Sequence, residues 1–165
     1  MLTIRALFCN FVCLLFSGLA LAQTTPQSPG LTFLYSLNCT LGSALSVGAG
    51  PNGNRVVIPI TGGSFKGPRL SGKVLPIGAD WGLLDSQNIF SADTRYQLQT
   101  DDNAHIFIST SGPAQGDGRI HLRIKFETGS TKYYWLNNVI AVGILTSGNG
   151  YVAIDAWQLT SPPKA

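Results

Sequence analysis

The stretch 58–81, IPITGGSFKGPRLSGKVLPIGADW, sets the tightest limit on what this chain can become. It carries Gly62, Gly63, Gly67, Gly72 and Gly78, with prolines at 59, 68 and 76. Proline lacks a backbone donor and collides with a helical turn, so no helix runs through the region. Glycine set into extended pieces marks positive φ or the close approach of another backbone, as at bulges and barrel corners. Residues 56–60 and 70–75 therefore read as two strongly bent strands with a tight crossing, and the stretch ends in an acid beside a large aromatic, Asp80-Trp81. Bending of that degree suits the wall of a small closed barrel.

The remaining chain agrees. Residues 119–127 give the clearest period of two, with Ile120, Leu122, Ile124 and Phe126 on one face and His121, Arg123, Lys125 and Glu127 on the other. Residues 32–38, 93–100 and 104–111 also read as strands, the last two joined through an Asp101-Asp102-Asn103 turn. A short strand is expected over 81–85. Residues 133–137 lead into a strand ending near 145, and a hairpin turn at 147–150 precedes a last strand over 151–159. Residues 41–54 are rich in glycine and read as a connection. No segment after the leader keeps helical spacing, so the chain is all-β, with about eight or nine strands at hairpin spacing. A closed antiparallel barrel is expected, because closure removes sticky edges.

The first 22 residues read as a secretory signal peptide: Arg5, an apolar run over 6–19, then Ala20-Leu21-Ala22. Residues 23–30 form a polar arm, 31–160 the barrel, and 161–165 a tail. A secreted or secretory-lumen protein follows. Without the leader, ten basic and eight acidic residues remain and no run of like charge occurs, so neither nucleic acid nor an anionic membrane is an expected partner. Of the three cysteines, Cys9 and Cys13 leave with the leader, so Cys39 has no partner within the mature chain. Asn38-Cys39-Thr40 is the one N-x-T glycosylation candidate, at Asn38.

Five ordered motifs add a resemblance: I-T-G-G-x-F-x-G-P-R-L-x-G at 60–72, G-A-D-W at 78–81, D-x-R-Y-x-L-x-T-D-D at 93–102, F-E-T-G at 126–129 and W-L-N at 135–137. Together they resemble the small-barrel family catalogued as domain of unknown function 3237, over residues 31–159. The resemblance implies a single barrel similar to allene oxide cyclases and dirigent proteins, with one ligand-accessible end, and no established reaction. The leader departs from the mostly cytoplasmic bacterial pattern, and Asn103 stands where the family usually has glycine.

Motifs of the common catalytic machines are absent. The only two histidines, His105 and His121, show no metal-ligand spacing, so neither metal nor cofactor is expected. What remains is a set of carboxylates and aromatics near strand ends. Asp80 and Glu127 are the acid–base candidates, each expected at a barrel mouth where desolvation raises a carboxyl pKa, and the two are expected to share one mouth. Trp81, Tyr96, Trp135, Asn137 and Arg69 are candidate substrate contacts, with Lys66 flanking. Asp93 and Arg95 also read as a surface pair, Asp101 as a turn residue, and Tyr96 and Trp135 as core. The expected function is a cofactor-free enzyme that cyclises or isomerises a hydrophobic small molecule, or controls an addition on it, in secondary metabolism. The alternatives are a non-catalytic binding or guiding protein with the same pocket, and a secreted interaction protein with a solid core.

Overall fold

The computed structural model describes residues 25–162. The signal-peptide reading over 1–22 and the last three residues of the tail lie outside the described residues. Nine strands follow in chain order: β1 (Gly30–Leu41), β2 (Leu45–Gly50), β3 (Gly53–Lys66), β4 (Ser71–Leu84), β5 (Phe90–Thr100), β6 (His105–Pro113), β7 (Ile120–Glu127), β8 (Ala141–Ser147) and β9 (Tyr151–Thr160). All pair antiparallel, in the order β1-β9-β8-β7-β6-β5-β4-β3, and β1 pairs with β3 to close an eight-stranded barrel.

β2 stands outside this ring. It extends the line of β1 along β3 after a break at 42–44, with Leu41 opposite Ile60 and Leu45 opposite Val57. Residues 41–54 are thus more than a connection: pairing with β3 makes a strand of a glycine-rich segment whose own composition gives little strand signal. Residues 81–84 are likewise the end of β4 and no separate strand.

The bends fall where the glycines stand. The β3–β4 register shifts between Pro59 and Gly63, and the β4–β5 register between Val74 and Gly78. Gly63 has φ +139°, and a Cβ there would collide with the Asn38 carbonyl oxygen across the β1 seam. Gly78 has φ +131°, and its missing Cβ leaves room for the Arg95 carbonyl. Both need positive φ and close backbone approach, which only glycine supplies.

The half of the barrel away from β2 is solid. Leu34, Tyr35, Phe65, Leu98, Ile106, Ile108 and Phe126 fill it, with Tyr35 edge-on to Phe65 and Phe126 at centroid distances of 5.7 and 6.2 Å. Each such side chain contributes about 1.5–3 kcal/mol by burial. The end is plugged by a 3₁₀ helix, Thr131–Asn138, where the sequence reads as the lead into a strand. Its buried residues are Tyr133 and Leu136, three apart, and in a three-residue turn such positions share one face.

Candidate active site

The other half of the barrel is hollow. A cavity of about 130 Å³ opens between the start of β5, the β8–β9 turn and the end of β1. Its walls are mostly apolar, with Ile58, Ile60, Phe90, Ile120, Leu145 and Ile154 among them. Against them stand the polar side chains of Asp80, Thr94, Tyr96, Thr110 and Cys39, with Ser147 and Tyr151 at the β8–β9 turn. A solid-core barrel is therefore not what this sequence builds.

Strand pairing explains the polar wall. Asp80 of β4 lies opposite Thr94 of β5, which lies opposite Thr110 of β6, so three polar groups form one row across adjacent strands. The ladder between β4 and β5 is interrupted beyond that row, and Asp80 Oδ1 accepts the Asp93 backbone N–H at 2.8 Å. Burial pushes the Asp80 carboxyl above the ordinary carboxylate value, and the nearby Asp93 charge adds to the shift. The Asp93 amide and the Thr94 hydroxyl, which favour the ionised form, hold it back in part. Ile58 lies directly opposite Asp80 on its other side.

Tyr96 sits one pleat deeper on β5, roughly 7 Å along the strand from Thr94. Burial raises its hydroxyl pKa, as it does that of its neighbour Tyr35, and pushes the Cys39 thiol up to about 11. At the mouth, the Phe90 ring sits against Gly82 and the Tyr151 ring against Gly148, so two aromatics rest where no Cβ stands.

The remaining sequence candidates lie elsewhere. Trp81 faces outward, because consecutive strand residues point to opposite faces. The Arg95 guanidinium lies 5.9 Å from its ring, and Arg95 pairs with Asp93 at 3.0 Å on the surface. The desolvating neighbours of Asp80 are thus the cavity wall and not Trp81. Glu127 is exposed on the outer face at the far end of β7, beside the plugged end of the barrel. The expectation of a shared mouth with Asp80 is corrected: β7 begins at the open end with Ile120 and runs away from it. Arg69 and Trp135 meet at that closed end, the guanidinium 3.5 Å over the ring. Asn137 is a structural clasp there, its Oδ1 accepting the Thr128 N–H at 2.8 Å and its Nδ2 donating to the Thr128 carbonyl at 2.9 Å. Lys66 and Asp101 are exposed, as is Asn38 within β1.

Sequence reasoning passed over Thr94, Thr110 and Cys39. The alternation that turns Tyr96 and Leu98 inward also turns Thr94 inward, and Thr110 follows Ile106 and Ile108 by the same rule. Among the described residues, no group of three or more His, Cys, Asp or Glu side chains is placed to hold a metal ion.

A crystal structure of a β-barrel-like protein of Acinetobacter baumannii AYE superposes with a TM-score of 0.76 at 34% identity, over 84% of this chain and all of that one. The UPF0311 protein of Rhodopseudomonas palustris (strain TIE-1) is 28% identical across 77% of this chain and 94% of its own length. The hydroalkoxylation enzyme phnH of Penicillium herquei is 31% identical across 81% of this chain and 86% of its own. A family model described as a protein of unknown function (DUF3237) matches residues 29–123. Matched over more than half its length, this chain belongs to the DUF3237 family.

Proposed function

We propose that this protein is an enzyme that adds a hydroxyl of a hydrophobic small molecule across a carbon–carbon double bond of the same molecule, inside the open half of the barrel. The observation that carries the reading is Asp80: a carboxyl of raised pKa, in a row with two threonine hydroxyls, facing an apolar cavity. Its similarity to the hydroalkoxylation enzyme phnH supports the same reaction class. Hydroalkoxylation forms one C–O and one C–H bond at the expense of an O–H and a π bond, so it is redox-neutral and releases nothing. One group that takes a proton and returns it is sufficient. Ionised Asp80 takes the hydroxyl proton as the oxygen closes on one alkene carbon, the alkene electron pair passes to an electron-withdrawing group conjugated with it, and Asp80 then returns the proton to the other carbon. A raised pKa brings the base nearer the operating pH, where general acid–base work is most efficient. The apolar walls hold the chain folded for ring closure and keep water from competing. The leader over 1–22 directs this chemistry to the secretory route or beyond the cell.

Ring closure of a set of phenols bearing ortho-enone side chains, followed by chromatography on a chiral phase, tests the reading. Faster closure than in buffer with one enantiomer in excess is expected. Closure at the uncatalysed rate across the set, with the same compounds bound, would select the ligand-carrier reading. That reading draws on the Asp80–Asp93 hydrogen bond, which a purely structural carboxylate would also make.

A further inference from the structure

We propose that the Tyr96 hydroxyl is a hydrogen-bond donor waiting for a carbonyl oxygen of the substrate, one conjugated with the reacting alkene. This rests on the reading of the cavity as the reaction site and names the substrate class it takes. Tyr96 is 2% exposed and Tyr35 fully buried, and neither hydroxyl has a hydrogen-bond partner. Tyr96 is the member of the pair that lines the cavity, so its unpartnered hydroxyl is the one a ligand can reach. No polar side chain of the cavity accepts from Tyr96, and Cys39, a weak sulfur acceptor, points its own S–H at the Thr40 carbonyl, 3.9 Å away. A buried donor without an acceptor is costly, so a site that keeps one is shaped for an oxygen arriving with the ligand.

The consequence for the chemistry is direct. With the ketone oxygen on Tyr96, the conjugated alkene lies toward Asp80, Thr94 and Thr110, nearer the mouth. Asp80 takes the substrate hydroxyl proton and the freed oxygen bonds to the β-carbon. The alkene electron pair moves to the carbonyl, where the Tyr96 O–H stabilises the enolate oxygen. The α-carbon then takes the proton back from Asp80. Atoms and charge balance within one substrate molecule.

Binding of two probes of nearly equal shape tests this without turnover: acetophenone, which carries the acceptor, and isopropylbenzene, which does not. Both are followed by NMR titration of the mature chain. The wild type is expected to bind acetophenone about tenfold more tightly, the worth of one buried hydrogen bond. Tyr96→Phe should bring the two affinities together by weakening acetophenone alone, and should fold at least as well as the wild type, since it removes an unpartnered hydroxyl. Tyr35→Phe, which keeps the Tyr96 donor, should retain the preference, and guards against a Tyr96 variant that fails to fold. Equal affinities in the wild type, a preference that survives Tyr96→Phe, or no binding of either probe would overturn the proposal. Discrimination by Tyr96 together with no ring closure on any substrate would leave this donor in place and sink the catalytic reading instead.

Discussion

Asp80 carries two opposite consequences in one carboxyl. Its folded pKa is raised chiefly by burial, so ionising it costs more in the native state than in the unfolded chain. Its stabilising share is present below the unfolded carboxylate pKa and is lost as pH rises through the folded value. Asparagine keeps an oxygen for the Asp93 amide and cannot ionise. Asp80→Asn is therefore expected to gain on the wild type in denaturant midpoint as pH rises from 4 to 8, whereas equal midpoints at every pH would show an unperturbed group. Activity runs the other way, because only the ionised form can accept the hydroxyl proton, and so kcat/KM should climb with pH through the same transition. Cys39 gives a second reading of the same space. Buried in the cavity wall with its thiol pKa near 11, it should resist a thiol reagent in the native protein. After denaturation one thiol per mature chain should react, and reaction of the native chain as fast as the denatured one would mean the cavity wall opens freely.

At the scale of elements, the two ends of the barrel are built for different purposes. The closed end gathers most of the conspicuous motifs. Thr128 is clasped by Asn137, Arg69 stacks on Trp135, and Asp102 receives Lys132 and the Tyr133 hydroxyl. Lys132 and its neighbours hold the Asp102 carboxyl well below the usual range, so its contribution is present above the unfolded carboxylate pKa and fades as pH falls. The 3₁₀ helix is the plug, and Leu136 is its fully buried tooth. Leu136→Ala should cost about 2–5 kcal/mol in chemical denaturation, while a loss no larger than that of a surface substitution would mean the plug is not packed. Gly63→Ala should lose about 1–3 kcal/mol to backbone strain alone, with the collision against Asn38 added, and normal stability there would contradict the seam geometry. Much of this was legible in sequence. The period of two over 120–127 and the glycines at 62, 63, 72 and 78 foretold the strands and their bends. The 3₁₀ helix was not, because one turn at a spacing of three is indistinguishable from a strand approach until Tyr133 and Leu136 have something to pack against. β2 was hidden for a similar reason, since its order comes from β3 and not from its own residues.

At the scale of the whole molecule, strand order decides which residues meet, and local sequence does not encode it. Asp80 and Glu127 each sit inside a motif, yet β4 carries its acid toward the open end and β7 carries its acid to the other. Outer and inner faces were read correctly over 120–127 but missed at Thr94 and Trp81, and the end of the barrel was not legible at all. The proposed leader over 1–22 makes a whole-molecule prediction of its own: mass spectrometry of exported protein should find the N-terminus within a residue or two of Gln23, and an intact Met1 would refute the export reading. In the proposed function, Asp80 moves the proton of a hydroalkoxylation in the hollow half of the barrel. The most direct measurement is the rate of intramolecular ring closure by Asp80→Asn beside the wild type, with circular dichroism and acetophenone affinity recorded on the same samples. Unchanged fold and affinity with kcat lower by roughly 10²–10⁴-fold, the usual loss on removing an acid–base group, is the expected result. A folded, ligand-binding Asp80→Asn that turns over substrate as fast as the wild type would contradict it.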